Sequence, residues 1–316
     1  MQVTFLMPVY NAEHWLDTSV GSLLAQTSDD WRLIAVDDGS TDGSLAKLRD
    51  YEAHDERISV MTQANAGPGV ARARAIEHAT TDYVAILDSD DALTPDYVAL
   101  MLARAAETDA DTVTPDVEYF APDGSHPLRD QFDEHGLSAD TVIEGGHAVF
   151  ALTIPWRLHG WQMIRTTLAK EYYTVQQASY SRFNSDEYIT RLLYLKSRRT
   201  ALCRAKYRYR LDPSSITRKP SLLKLDYLKT LDRLLWLCEY EHLSSKVFVD
   251  VYNDYYVTIR DMRDNILPQL SAEDQAKGWE MISTSVATFK KKFRWRYLRG
   301  AKLRTKVKFA LFLLRR

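Results

Sequence analysis

"YVAILDSDDALTPDY", Tyr83 to Tyr97, holds the decision about this chain. An apolar run of the kind that fills the middle of a sheet ends in three acids, Asp88, Asp90 and Asp91. Closely spaced carboxylates raise one another's pKa unless a cation neutralises them, so a divalent metal is their natural partner. Taken alone, the acids read better as the start of a solvated turn leading to Thr94 as a helix cap and Pro95 as the first helical residue. An EF-hand loop does not fit, because Ala92 stands at its fifth ligand position and no glycine follows at the sixth.

Upstream, apolar strand patterns alternate with helical ones. "VTFLMPVY" reads as a strand, and Asn11 is expected to cap the following helix, on which Trp15, Val20, Leu23 and Leu24 share a face. "WRLIAVDD", "ISVMTQ" and "YVAILDSD" are further strands, separated by the helical "SLAKLRDYEAH" and "VARARAIEHA". This alternation predicts an α/β domain whose largely parallel sheet is covered by helices, with ligands beyond the carboxyl ends of the strands. Four polar clusters fall at those ends: Tyr10 with Asn11, Asp37 with Asp38, Asn65 with Gly67, and Asp88 to Asp91. From Asp111 to Ser138, turn signals such as "APDGS" between β-rich pieces predict a hairpin or mixed-sheet excursion. From Ser221 the pattern turns helical, with Leu222, Leu223, Leu228, Leu231, Leu234 and Leu235 prominent.

Composition narrows the class. With 316 residues and 45% hydrophobic residues the chain can build a large core. Cys203 and Cys238 have neither CxxC spacing nor a neighbouring His pair, which speaks against a disulfide framework or zinc site and for a reducing compartment. The N-terminus lacks a basic leader, and no segment approaches the roughly 20 apolar residues of a membrane span. The net charge of −2 hides an asymmetry: residues 290–316 hold 12 Lys/Arg and no Asp/Glu, leaving the rest at −14. Such a tail points to an anionic partner.

"VDDGSTDGS" places Asp37 or Asp38 to accept a hydrogen bond from a base or ribose, and Gly39 and Ser40 to turn the chain into a helix N-terminus. "QANAGPGVARARA" offers close backbone approach at Gly67 and Gly69 and a guanidinium at Arg72 or Arg74. It is neither a Walker A loop nor GxGxxG.

In their common order and spacing, "FLMPVYNAEHWLDTSVGSLLAQT", "LIAVDDGSTDGS", "QANAGPGVARARA" and "YVAILDSDDALTPDY" resemble the successive signatures of a family 2 glycosyltransferase with the GT-A fold. The resemblance implies a nucleotide-sugar donor, usually UDP-linked, and displacement with inversion at the anomeric carbon. It matches Pro8, Val9 and Tyr10 to the strand end beside the base, Asp37 or Asp38 to the acid facing uracil, Asn65 and Gly67 to the donor loop, and Arg72 to the motif arginine. Asp88, Ser89 and Asp90 match the DxD segment, with Asp88 near the ribose or metal waters and Asp90 as direct ligand of Mn²⁺ or Mg²⁺. Ala73 departs from the family, where Asn is frequent. Inversion needs a base, and "FNSDEYITRLLY" resembles the family's Glu-Asp segment with Ser185 in place of Glu, making Asp186 the base and Glu187 its rival. "PWRLHGW" resembles the preceding aromatic segment, which puts Trp156 and Trp161 against sugar faces and His159 on an acceptor. "YRYRLDPSSITR" resembles the segment closing over donor phosphates, with Arg210, Ser215 and Arg218 as its candidates.

The expectation is thus a GT-A domain at 1–220, a mostly parallel mixed sheet with flanking helices, followed by a helical region at 221–316. It would move a sugar to a glycan or lipid-linked acceptor in cell-surface polysaccharide synthesis. Two alternatives stand beside it: a sugar nucleotidyltransferase, for which "PVYNAEHW" lacks the lysine-bearing glycine loop, and a non-catalytic nucleotide-binding scaffold. In the tail, Leu303, Val307, Ala310, Leu311 and Leu314 follow helical spacing among Lys302, Arg304, Lys306 and Lys308. That pattern fits anionic lipid at the cytoplasmic membrane face or docking on the protein's own body; nucleic acid is not expected.

Overall fold

The computed structural model describes residues 1–121, 127–154, 156–211 and 219–314. The chain divides into two compact units, Met1–Pro213 and Ser214–Arg316.

In the first unit the strands are β1 Val3–Val9, β2 Trp31–Asp37, β3 Ile58–Thr62, β4 Tyr83–Ile86, β5 Ala92–Leu93, β6 Thr112–Phe120, β7 Pro127–Asp130, β8 Val142–Glu144, β9 Met163–Arg165 and β10 Arg199–Arg210. The helices are α1 Leu16–Leu24, α2 Ser44–His54, α3 Pro68–His78, α4 Tyr97–Thr108, α5 Gln131–His135, α6 Gly146–Thr153, α7 Thr166–Tyr172, α8 Val175–Ala178 and α9 Ser185–Lys196. One sheet runs β3-β2-β1-β4-β9-β6-β10-β5, with β7 on β6 and β8 on β10. The first four strands pair in parallel, as the alternating pattern predicts, and antiparallel pairing brings in β9, β7, β8 and β5. Every residue of β1 is buried, consistent with a strand covered on both faces.

The order reverses at β1, whose β2 neighbour continues one way and whose β4 neighbour the other. That switch point opens a crevice beyond the carboxyl ends of the strands. Pro8, which brings no N–H, stands where the β1–β4 ladder has already ended at Leu6 and Ile86.

Three local expectations are corrected. Asn11 does not cap α1: it adopts φ 50°, its N–H donates to Ser40 Oγ (3.0 Å) and its Oδ1 accepts from Thr41 N–H (2.8 Å), tying the loops after β1 and β2 together. The buried face of α1 is Leu16, Ser19, Val20 and Leu23, and Leu24 is exposed. Thr94 and Pro95 precede α4, which begins at Tyr97 behind Asp96, because Ala92 and Leu93 are taken up as β5 against Tyr207 and Arg208 of β10.

The second unit is helical: α10 Tyr227–Tyr240, α11 Ser245–Asp261, α12 Ala272–Lys292 and α13 Leu303–Leu314. Leu228, Leu231, Leu234 and Leu235 are buried at helical spacing, whereas Leu223 is exposed. Helices α11 and α12 carry side-chain caps, Ser244 to the N–H of Val247 and Ser271 to that of Asp274. Among the described residues no helix is long and apolar enough to cross a membrane.

Candidate active site

The loop after β4 delivers Asp88 to the crevice, and the start of α9 delivers Asp186. Arg72 on α3 joins them: its Nη2 donates to Asp88 Oδ1 (2.5 Å) and its Nη1 to Asp186 Oδ2 (3.0 Å). The Arg72 side chain is only 6% exposed. Burial works against its charge, but Asp88, Tyr173 and Asp186 outweigh that effect and hold the guanidinium pKa well above its ordinary value. Charge-assisted bonds to a buried, permanently charged fork are the strong ones, so the two carboxylates are fixed relative to one another.

Two glycines let α3 reach this position. Gly67 has φ +94°, and a Cβ there would sit 3.0 Å from the Arg182 carbonyl; a Cβ on Gly69 would meet Ser185 Oγ at 2.2 Å. Ser185, where the family motif carries Glu, is buried against that glycine. Asn65 accepts twice from Arg182, at its carbonyl (2.8 Å) and at Oδ1 (2.5 Å).

The adjacent acids Asp37 and Asp38 part ways. Asp38 accepts from Gln63 Nε2 (2.6 Å), Ala66 N–H (2.8 Å) and Gly67 N–H (2.8 Å), so both its oxygens organise the glycine loop. Asp37 Oδ2 accepts from Ser40 N–H at 3.3 Å, while its buried Oδ1 has no partner among the described residues. A buried, unpaired acceptor is costly, and Asp37 is the acid of the pair with capacity left for a ligand. Val9 is buried, its carbonyl taken by Asp38 N–H (2.7 Å), and Tyr10 at the strand end is exposed.

The three acids of the opening stretch have separate fates. Both oxygens of Asp88 accept, one from Arg72 and the other from Trp161 Nε1 (3.2 Å). Ser89 and Asp90 are half-buried on the loop, and Arg210 Nε holds the Asp90 carbonyl at 2.7 Å. Asp91 is buried, accepting from Tyr207 O–H (2.8 Å) and Arg210 N–H (2.8 Å), and burial followed by repulsion from Asp90 and Asp88 pushes its pKa well up. It is a structural acid that pins the loop to β10. Arg210, expected to close over phosphates, is itself buried beneath this loop, with its guanidinium 4.5 Å from the Trp15 ring and 4.6 Å from that of Phe120. Ser215 and Arg218 lie outside the described residues.

A cavity of about 300 Å³ is lined by Arg72, Asp88, Asp186 and Glu187 and by the aromatic wall of Trp156, His159, Trp161, Tyr119 and Tyr209, whereas Asp37, Asn65, Gly67 and Asp90 are not part of its lining. Glu187 is engaged by Arg191 (2.9 Å), one turn along α9. Trp161 stacks on Tyr207 with ring centroids 4.9 Å apart, and Trp156 carries the Arg191 guanidinium at 3.7 Å, so each tryptophan has a face already covered. His159 Nε2 meets Tyr119 O–H at 3.1 Å. Trp156 adopts φ 55°, an unusual conformation for a bulky residue. The residues that sequence reasoning missed are Tyr119, Tyr207 and Tyr209; the last two follow the period-2 alternation of "YRYR", which puts both on one face of β10.

Among the described residues no group of three or more His, Cys, Asp or Glu side chains is arranged to hold an ion unaided. Asp88 carries Arg72 and Trp161 on its two oxygens, and Asp90 stands two residues on in the same loop, half-buried. One or two carboxylates completed by phosphate oxygens and water suit Mg²⁺ or Mn²⁺.

The model of Glycosyl transferase family 2 matches residues 4–172. The chain belongs to glycosyl transferase family 2. Within that family it is 26% identical over 231 residues to the glycosyltransferase GlyA of Streptococcus pneumoniae, a match spanning 69% of this chain and 32% of GlyA. It is also 40% identical over 90 residues to the Escherichia coli UDP-Glc:alpha-D-GlcNAc-diphosphoundecaprenol beta-1,3-glucosyltransferase WfgD, covering 28% of this chain and 35% of WfgD. The chain spans about a third of the length of the curated relatives it matches. A crystal structure of S. aureus TarS 1-349 in complex with UDP-GlcNAc superposes with a TM-score of 0.73 at 17% identity, covering 99% of this chain and 89% of that one. The fold is therefore GT-A, as the motifs implied.

Proposed function

We propose that this family 2 protein is an inverting, metal-dependent glycosyltransferase of hexosyltransferase type, moving a sugar from a UDP-linked donor to a hydroxyl of a glycan or lipid-linked acceptor in cell-surface polysaccharide synthesis. The single observation that carries the reading is the Arg72 bridge, which holds a donor-side acid and a candidate base at one cavity. Asp186 is the base: it removes the proton of the acceptor hydroxyl as that oxygen attacks the anomeric carbon and the bond to the UDP oxygen breaks. Glu187 is paired with Arg191 as Asp186 is with Arg72, and the choice of Asp186 rests on the bridge that ties it to Asp88. Asp37 accepts from the uracil imide, Pro8, Val9 and Tyr10 border the base, Asn65 and Gly67 line the donor loop, and the aromatic wall with His159 receives the acceptor. A divalent cation held by Asp90, with Asp88 through water, would supply positive charge to the leaving diphosphate.

UDP-glucose and UDP-GlcNAc in WfgD and TarS support the donor class, and WfgD's diphosphoundecaprenol substrate supports a lipid-linked acceptor. We place the enzyme in the cytoplasm, peripheral on the inner membrane face through residues 290–316, with the catalytic domain at 1–220 and the helical region at 221–316. The test is UDP-sugar hydrolysis with Mn²⁺ by the wild type and by Asp186→Asn. Turnover that falls at least 100-fold in the variant supports the assignment. Absence of both hydrolysis and UDP binding in the wild type would favour the scaffold instead.

A further inference from the structure

Helix α13 meets its own unit through an unexpected face. Phe309 is fully buried against Tyr252, Phe289 and Phe293, and Phe312 packs on Tyr256 and Phe289. The stripe that periodicity marks as apolar is turned outward: Leu303 is 75% exposed, Val307 49%, Leu311 57% and Leu314 78%. At 100° per residue these four fall within one quadrant of the helix. Arg304 lies on one flank of the stripe, beside Lys308, whose ammonium turns back to Asn253 Oδ1 and the Tyr256 ring, and Lys302 and Lys306 lie on the other. Beside it runs an apolar groove of about 540 Å³ past Tyr256 and Phe312, which continues into a second of about 350 Å³ along Ile259, Ile282 and Val286. Trp279 and Trp295 are half exposed on the same unit.

We propose that this face lies in the headgroup and upper acyl region of an anionic bilayer, which deepens the peripheral placement proposed above and rests on it. Exposed apolar patches of this kind mark contact surfaces. Three occupants compete, and charge with shape separates them. A second copy would bring two cation-flanked stripes together, since residues 290–316 carry 12 Lys/Arg and no acid to oppose them. A nucleic acid would use the cations but leave the leucines in water. An anionic lipid surface uses both, the leucines below the phosphates and the cations level with them. Twelve helical residues measure about 18 Å, too short to span a core of about 30 Å, so the helix lies along the surface.

Sedimentation of the full chain with vesicles tests this, comparing phosphatidylcholine alone with phosphatidylcholine containing about one-third phosphatidylglycerol. The expected result is binding at least tenfold stronger to the anionic vesicles. Leu303→Glu/Leu311→Glu should weaken that binding a further tenfold or more without changing the melting temperature, since both side chains are exposed. Lys302→Ala/Arg304→Ala should weaken it about fivefold for each charge. Equal binding by the leucine variant would overturn the proposal, as would equal affinity for the two vesicle types. A stable dimer in light scattering that the leucine variant converts to monomer would also overturn it, in favour of a second copy. Hydrolysis of the UDP-sugar donor without vesicles reports on the transferase reading separately, because neither variant touches the catalytic cavity.

Discussion

Replacing Asp91 and replacing Asp90 should have opposite consequences, although the two acids are neighbours in a single loop. Asp91→Ala removes the acceptors of the Tyr207 O–H and of the Arg210 N–H, both bonds 2.8 Å long and both donors on β10. A buried donor left unsatisfied costs about 1–3 kcal/mol. Tyr207 still accepts from Asp88 N–H at 3.1 Å, so it is not stripped of all partners. Part of the loss is offset because a carboxyl repelled by Asp90 and Asp88 leaves the interior. The net expectation is about 2–5 kcal/mol of destabilisation, which in a unit of this size lowers the melting temperature on the order of 5–15 °C. Asp91→Asn, which keeps the shape and one acceptor, should lose less than half as much. Asp90→Ala should melt within about 1 kcal/mol of the wild type yet lose Mn²⁺-dependent turnover. Thermal denaturation and donor hydrolysis, run on all three variants, check this. An Asp91→Ala protein that melts like the wild type while its turnover collapses would refute the division of labour, because it would make Asp91 a ligand rather than a strut.

Arg72→Lys keeps a positive charge but cannot bridge two carboxylates with a planar fork. Losing one charge-assisted bond of about 1.5–3 kcal/mol should lower kcat/KM by roughly 10- to 100-fold in steady-state assays, and undiminished kinetics would remove the bridge from the mechanism. Gly67→Ala forces a side chain into φ +94° against the Arg182 carbonyl, so a loss of about 1–3 kcal/mol is expected in urea unfolding, with weaker UDP binding in calorimetry. In the second unit, burial outweighs the Tyr255 hydrogen bond and raises the pKa of Asp232. An acid with a raised folded-state pKa contributes stability that is complete below its unfolded value, about pH 4, and is lost as pH rises through the folded value. Asp232→Asn, which still offers Tyr255 an acceptor, should therefore gain on the wild type between about pH 4 and pH 7 and match it near pH 4; a gap that widens on acidification would contradict the assignment.

The opening stretch shows where sequence reading stops. Periodicity placed a buried strand before Asp88, and it located α2 residue for residue as "SLAKLRDYEAH". Neither periodicity nor motif could tell Asp37 from Asp38, and the motif that singled out Asp90 left Asp91 without a role, because neighbouring acids look alike until their hydrogen-bond partners are known. Those partners come from distant segments: Gly67 for Asp38, Tyr207 and Arg210 for Asp91. Asn11 and Thr94 were misjudged for the same reason, each having the chemistry of a cap but a stronger tertiary engagement elsewhere.

By itself the sequence determined the alternation of strand and helix, the parallel core and the clustering of polar residues at the strand ends, since these follow from apolar spacing and local turn chemistry over a few residues. It also determined that the tail is cationic and helical. Only the tertiary structure decided that Arg72 joins Asp88 to Asp186, which lies 114 residues beyond Arg72 in the chain, that Asp91 is a strut, and that α13 packs through Phe309 and turns its leucines outward. The physical reason is that desolvation and hydrogen-bond satisfaction depend on what the rest of the chain brings within about 3 Å, which no local pattern records.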